Sequence, residues 1–255
     1  MFDYFAQSQL LDFSELQILF TALIFVWSGF VRSGLGFGGA ALGLPLMLII
    51  YDRPVFWLPV IGAHLLIFTS LTLSTRLKNV DWGFLKKSSP WIFPAKLVGV
   101  FGLLNLPNEW LVIIIYSITL IYSFLWMFQL SIKSEGGWGD KLLLVLGGYV
   151  SGTSLTGAPL IVAVFMNYIN KSQLRDTLFL LWFILVMVKM STFVAFGVDL
   201  HFNSALLLLP MAAIGHFIGL RAHDFMTQND QLFKRVIGVV LMLICLIGFW
   251  AISSK

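Results

Sequence analysis

Two stretches of the chain combine free backbone donors with small or hydroxylated side chains, the materials from which an oxyanion site is built. The first is Arg32-Ser33-Gly34-Leu35-Gly36-Phe37-Gly38-Gly39-Ala40-Ala41-Leu42-Gly43-Leu44-Pro45. Its five glycines between 34 and 43 weaken a helix by up to about 1 kcal/mol each relative to alanine. Inside hydrocarbon, an open backbone persists only where protein or water satisfies it. A helix restarting after such a break turns unpaired N–H groups and a positive dipole end toward the gap, which suits an anion. Gly36, Gly38 and Gly39 are the candidate contacts. The competing reading is close helix packing, because Gly34/Gly38 and Gly39/Gly43 are also GxxxG pairs. The second stretch, Ser151-Gly152-Thr153-Ser154-Leu155-Thr156-Gly157-Ala158-Pro159, places four hydroxyls and two glycines before a proline that favours a new helix start. Thr153, Ser154, Thr156 and Gly157 are its candidate contacts, since hydroxyls and free N–H groups are what an oxyanion needs.

Four titratable residues fall inside apolar runs. Lys189 lies deep in its run, with no acid between Asp176 and Asp199. A lysine within a membrane costs a few kcal/mol by insertion scales, so it should face a cavity or a partner rather than lipid. Lys96 stands six residues inside the run beginning at 90, near the end where snorkelling to the surface competes with a site role. His64 and His216 are mid-run and suit either proton relay and anion binding or a neutral bridge between helices. His201 and His223 sit at run ends and read as interfacial. None of the twelve acids falls mid-run. Cation pathways place Asp or Glu along the route, so lysines, histidines and hydroxyls without acids point to an anion. The only cysteine, Cys245, excludes a disulfide framework and a CxxC site, and no metal or cofactor is called for.

These residues need elements to hold them, and the composition says which. Of the 255 residues, 59 per cent are hydrophobic and 11 per cent charged, against roughly 45–50 and 25 per cent in soluble domains. That is an integral membrane protein. The runs are too long and continuous for barrel strands, so the fold class is an all-α polytopic membrane protein. The net charge of +4 is scattered singly or in pairs rather than gathered on a basic face, which excludes a nucleic-acid partner. The partners are the bilayer and a small anionic substrate. With Asp3, Asp12 and Glu15 and no Lys or Arg in the first fifteen residues, no cleaved signal is expected.

Cutting at charges, prolines and polar clusters predicts ten segments, near 16–31, 34–50, 54–75, 90–105, 110–130, 141–153, 157–169, 177–198, 204–220 and 233–251. The segments 34–50, 141–153 and 157–169 fall short of the roughly 20 residues that span a bilayer and border the glycine-rich breaks. With both termini outside, twelve cations fall on the inner side (Arg32, Arg76, Lys78, Lys86, Lys87, Lys133, Lys141, Lys171, Arg175, Arg221, Lys234 and Arg235) and two, Arg53 and Lys255, outside. That matches the retention of positive charge by cytoplasmic loops. An offset of 119 lays Gly29-Phe30-Val31 on Gly148-Tyr149-Val150 and Gly38 on Gly157. It predicts two inverted five-segment repeats, 1–130 and 141–255, joined by a polar cytoplasmic linker at 131–140, with discontinuous helices at the breaks. Inverted repeats with paired breaks are how many transporters build a midplane site. Trp27, Trp82, Trp91, Trp110 and Trp250 fit an aromatic belt.

Gly34-Leu35-Gly36-Phe37-Gly38-Gly39 before Pro45, and Gly152-Thr153-Ser154-Leu155-Thr156-Gly157-Ala158-Pro159 in the second half, resemble the two glycine-proline signatures of the sulfite exporter TauE/SafE family. The resemblance covers essentially the whole chain, and the second signature is less glycine-rich than the family form. It implies a secondary transporter in the cell membrane for sulfite, organosulfonates or related sulfur or carbon acids, and no enzymatic activity. Thiosulfate uptake, which relies on pathway cysteines in members known for it, is disfavoured by the lone Cys245.

Three other readings compete. An anion channel shares the inverted-repeat architecture and is told apart by flux that does not saturate. An intramembrane serine hydrolase would pair Ser151 with His216, and that pair needs hydrogen-bond contact. A retinal-type photoreceptor would need an acidic counter-ion for Lys189, which its segment lacks.

Overall fold

The computed structural model describes residues 9–35, 39–130, 132–134, 136–228 and 230–253. Among these residues ten α-helices form and no strand: α1 Glu15–Leu35, α2 Gly39–Ile50, α3 Pro54–Leu73, α4 Trp82–Asn105, α5 Asn108–Met127, α6 Gly137–Ser154, α7 Ala158–Tyr168, α8 Lys171–Ala195, α9 Phe202–Gln228 and α10 Asp230–Ser253. Six of them (α1, α3, α5, α8, α9 and α10) contain stretches long and apolar enough to cross a membrane, while α2 and α7 are shorter apolar helices. At 1.5 Å per residue, the 12 residues of α2 and 11 of α7 reach about 18 and 17 Å, well short of the hydrocarbon core.

Two helices begin six or more residues earlier than predicted. α4 starts at Trp82 instead of 90, because the Asp81 carboxylate caps it by accepting from the Phe84 N–H at 2.9 Å. Its polar first turns, with Lys86 and Lys87, continue through Pro90 and Pro94. α8 starts at Lys171 instead of 177, since Asp176 is buried but matched by Arg76 at 3.6 Å and the Asn79 amide at 3.1 Å. α6 begins at Gly137, inside the stretch read as linker.

The helices gather into two compact units. One comprises residues 1–64, 107–130 and 199–255; the other comprises 65–106 and 131–198. In the first unit, α1 packs on α9 and α2, and α10 packs on α5 and α2. A Cβ at Gly215 of α9 would run into the Val26 carbonyl and stand 2.9 Å from the Phe30 nitrogen, so the backbones of α1 and α9 touch. Such crossings are a use of small residues in membrane helices, where close packing replaces hydrophobic exclusion. Val31, Leu42, Ile237, Leu241 and Ile244 fill the space beside them. On α10, Leu232, Val236, Val240, Leu243 and Ile247 stay exposed, a stripe that suits lipid.

In the second unit, α6 packs on α4 and α7, and α4 and α7 each meet α8. Ile92, Leu144, Ile161, Phe165 and Leu181 form its core. The linker is tied to this unit through Asp140, which accepts from Ser134, from the Tyr168 hydroxyl at 2.5 Å and from the Gly136 N–H at 3.1 Å. Burial works against the charge of that carboxyl, but the three donors outweigh it and hold Asp140 below the usual carboxylate range.

Candidate functional site

The second glycine-rich stretch forms a helix break. α6 ends at Ser154, Leu155 turns left-handed (φ 60°), and α7 resumes at Ala158 with Pro159 in its first turn. The glycines do structural work here. A Cβ at Gly152 would meet the Lys96 carbonyl, the Gly99 Cα at 2.8 Å and the Val100 nitrogen at 2.9 Å; one at Gly157 would strike the Gly147 carbonyl. Close packing and a site role are therefore not alternatives at this break. The missing Cβ atoms bring α4 against the end of α6, and that contact delivers Lys96.

Two lysines from different helices converge on the last turn of α6. The Lys96 ammonium, from α4, donates to the Ser151 carbonyl at 3.0 Å and its hydroxyl at 3.1 Å. The Lys189 ammonium, from α8, donates to the Gly152 carbonyl at 2.7 Å and the Thr153 carbonyl at 3.3 Å. The end of a helix carries its negative dipole, so these carbonyls are natural acceptors; that of Ser151 also takes the Leu155 N–H at 3.2 Å. Lys96 and Lys189 are 0 and 1 per cent exposed. Lys96 therefore does not snorkel: α4 begins fourteen residues (96 − 82) before it, and its side chain points into the unit. The Phe193 ring centroid lies 5.6 Å from the Lys189 nitrogen.

The hydroxyls of the break are buried too, and in this arrangement they bond within it. Ser154 Oγ donates to the Val150 carbonyl at 3.0 Å and lies 2.6 Å from Thr156 Oγ1, while Thr153 Oγ1 donates back to the Val150 carbonyl at 3.1 Å. A bound oxygen would meet them only after a side-chain rotation.

In the other unit, Gly36 and Gly38 lie outside the described residues. α1 ends at Leu35 and α2 begins at Gly39. Gly39 sits where the two helices touch: a Cβ there would be 2.8 Å from both the Arg32 Cβ and the Ser28 carbonyl, and Ser28 Oγ donates to the Gly39 carbonyl at 2.9 Å. His216, on α9, meets Ser33 Oγ through Nδ1 at 2.5 Å. Ser33 and not Ser151 is thus the serine hydrogen-bonded to His216, and Ser151 Oγ is held by Lys96. His64 bridges α3 to α9, its Nε2 donating to the Ala205 carbonyl at 2.7 Å against the edge of Phe25.

Three residues here were not flagged by the sequence. Arg32, counted among inner-side cations, is buried at 8 per cent exposure in the last turn of α1. Ser33 follows it, and His223 reaches the Gly34 carbonyl through Nδ1 at 2.6 Å. The available signal was their position, one polar side chain after another at the mouth of a glycine-rich break. His201, by contrast, sits in the loop before α9, 3.3 Å from the Asp199 carboxylate, where burial holds the ring below its usual pKa against the pull of that carboxylate.

The family model described as Sulfite exporter TauE/SafE matches residues 21–247. No curated protein and no solved structure matches the chain.

Proposed function

The chain belongs to the sulfite exporter TauE/SafE family, a family of membrane transporters of sulfur compounds, and from that premise we propose that it carries small oxyanions across the cytoplasmic membrane by alternating access. Sulfite, organosulfonates and related sulfur or carbon acids are the substrate class. The observation that carries this reading is the convergence of Lys96 and Lys189, both buried, on the end of α6. Among the described residues neither lysine is paired with an acid. Buried charge without a partner is costly, and a passing anion supplies the partner.

The inverted repeat is part of the same proposal. Its support is the spacing of the helices: α2 starts at Gly39 and α7 at Ala158, and 158 − 39 = 119, the offset read from the glycine motifs. The α1–α9 contact of one unit has its counterpart in the α6–α4 contact of the other. Gly29 approaches the Ala212 carbonyl in the first, Gly148 the Ile92 carbonyl in the second. Under the same offset the halves 1–130 and 141–255 enter the bilayer from opposite sides, with both termini outside and the linker at 131–140 inside. The break at 154–158 would then approach the midplane, with Thr153, Ser154, Thr156 and Gly157 around the lysines' anion.

Uptake of labelled sulfite into proteoliposomes tests the proposal. It should saturate with concentration and fall at least tenfold in Lys189→Met with the protein still folded. Flux that never saturates would mark a channel, and unchanged flux in the variant would remove Lys189 from the pathway.

A further inference from the structure

We infer that the Lys96–Lys189 pair counts the charge of its ligand and selects dianionic oxyanions over monoanions, an inference that rests on the reading of this site as an anion site. An ammonium has three N–H donors. Lys96 places two on Ser151, and Lys189 places two on the Gly152 and Thr153 carbonyls. Among the described residues no further acceptor takes the third donor of either, so each presents one N–H to a ligand. The Phe193 ring beside Lys189 is neutral: it attracts the ammonium but does not cancel its charge.

The dipole ends at the break also do not cancel it. The C-terminal end of α6 contributes about −0.5 charge and the N-terminal end of α7 about +0.5. They stand four residues apart, Ser154 to Ala158, and offset one another to first order. With both lysines protonated, a state that a bound anion favours, what remains is the two ammoniums, close to +2. A monoanion leaves half of that uncompensated in a place that excludes water, whereas a dianion neutralises it and accepts one charge-assisted N–H from each lysine. Singly charged organosulfonates are then poor ligands, and doubly charged sulfite or sulfocarboxylates good ones.

Sulfate and methanesulfonate separate the cases, because they share a tetrahedral sulfur head and differ by one O⁻ against one CH₃. Binding of each at neutral pH is measured by titration calorimetry on the full chain in detergent. One charge-assisted hydrogen bond is worth roughly ten- to a hundredfold in affinity, so sulfate should bind the wild type at least tenfold more tightly. Lys96→Met should abolish that preference, as should Lys96→Gln, which keeps a hydrogen-bonding head without the charge. Equal affinities in the wild type, a comparison needing no variant, would overturn the inference. So would a preference undiminished in variants at both lysines. Binding of neither anion would overturn the anion site itself, a result distinct from equal binding of both.

Discussion

Replacing Gly152 by alanine is the sharpest probe of how the site is assembled. The added Cβ meets three backbone groups of α4: the Lys96 carbonyl, the Gly99 Cα at 2.8 Å and the Val100 nitrogen at 2.9 Å. None of these can rotate away, so α6 must withdraw from α4 along the contact that seats Lys96 against Ser151. Overpacking of this kind costs about 1–3 kcal/mol, and clashes with backbone belong to the upper part of that range. Alanine recovers up to about 1 kcal/mol of helix propensity, which leaves a net loss of about 1–2 kcal/mol. Gly102, in the same helix α4, is the control: a Cβ there finds only the Tyr149 hydroxyl at 4.0 Å, so Gly102→Ala gains the propensity without the clash. At roughly 2–4 °C per kcal/mol for a chain of this size, Gly152→Ala should melt about 2–8 °C below wild type in detergent, and Gly102→Ala at or above it. Intrinsic tryptophan fluorescence at a fixed scan rate reads both. Gly152→Ala melting with or above Gly102→Ala would refute the claim that these backbones touch.

Other consequences are equally direct. The Asp140 carboxylate, held below its usual pKa by Ser134, Tyr168 and Gly136, stabilises the linker fully above about pH 4 and loses that effect as pH falls through its native pKa. Asp140→Asn should therefore speed tryptic cleavage after the exposed Lys133 several-fold at pH 8, and its stability should converge on that of wild type at acid pH. Trp138 is 75 per cent exposed at the start of α6 and Cys245 is fully buried, so Trp138→Cys offers one reactive thiol. A membrane-impermeant maleimide should label it in inside-out vesicles and not in intact cells; the reverse pattern would turn the proposed topology over. A serine-reactive fluorophosphonate should leave Ser151 unmodified, because Ser151 Oγ is bonded to an ammonium and not to a base. Labelling at Ser151 or Ser33 would revive a hydrolase.

The all-helical fold was legible because continuous apolar runs have few alternatives in a bilayer, and nine of the ten predicted segments begin within seven residues of the start of a described helix. The starts of α4 and α8 were not, for one reason: charged residues lie inside these helices and do not bound them. Asp176 is buried inside α8, and its cost is met by Arg76 and Asn79, residues about a hundred positions away that no local pattern connects to it. The late start for α4 then made Lys96 look shallow, although two-thirds of the way along the true helix it is as buried as Lys189. That lysine, hydroxyls and glycines belong together around 151–157 was readable from residue type. What they do to each other was not: the lysines bind backbone carbonyls, and the hydroxyls spend their protons on α6. Ser33 and His216 lie 183 positions apart, and only the α1–α9 crossing makes them neighbours.

The central claim is that the buried lysines hold an oxyanion, and ligand-dependent thermal stability of the detergent-purified protein tests it most directly. The panel comprises sulfite, sulfate, organosulfonates, small carboxylates and alkali cations. A ligand that binds only the folded state adds about 2.7 kcal/mol at a hundred times its Kd, or roughly 5–11 °C here. The account predicts a shift of that size for a sulfur oxyanion, none for the cations, and loss of the shift in Lys189→Met. A response to cations alone, or an oxyanion shift that survives in Lys189→Met, would contradict it.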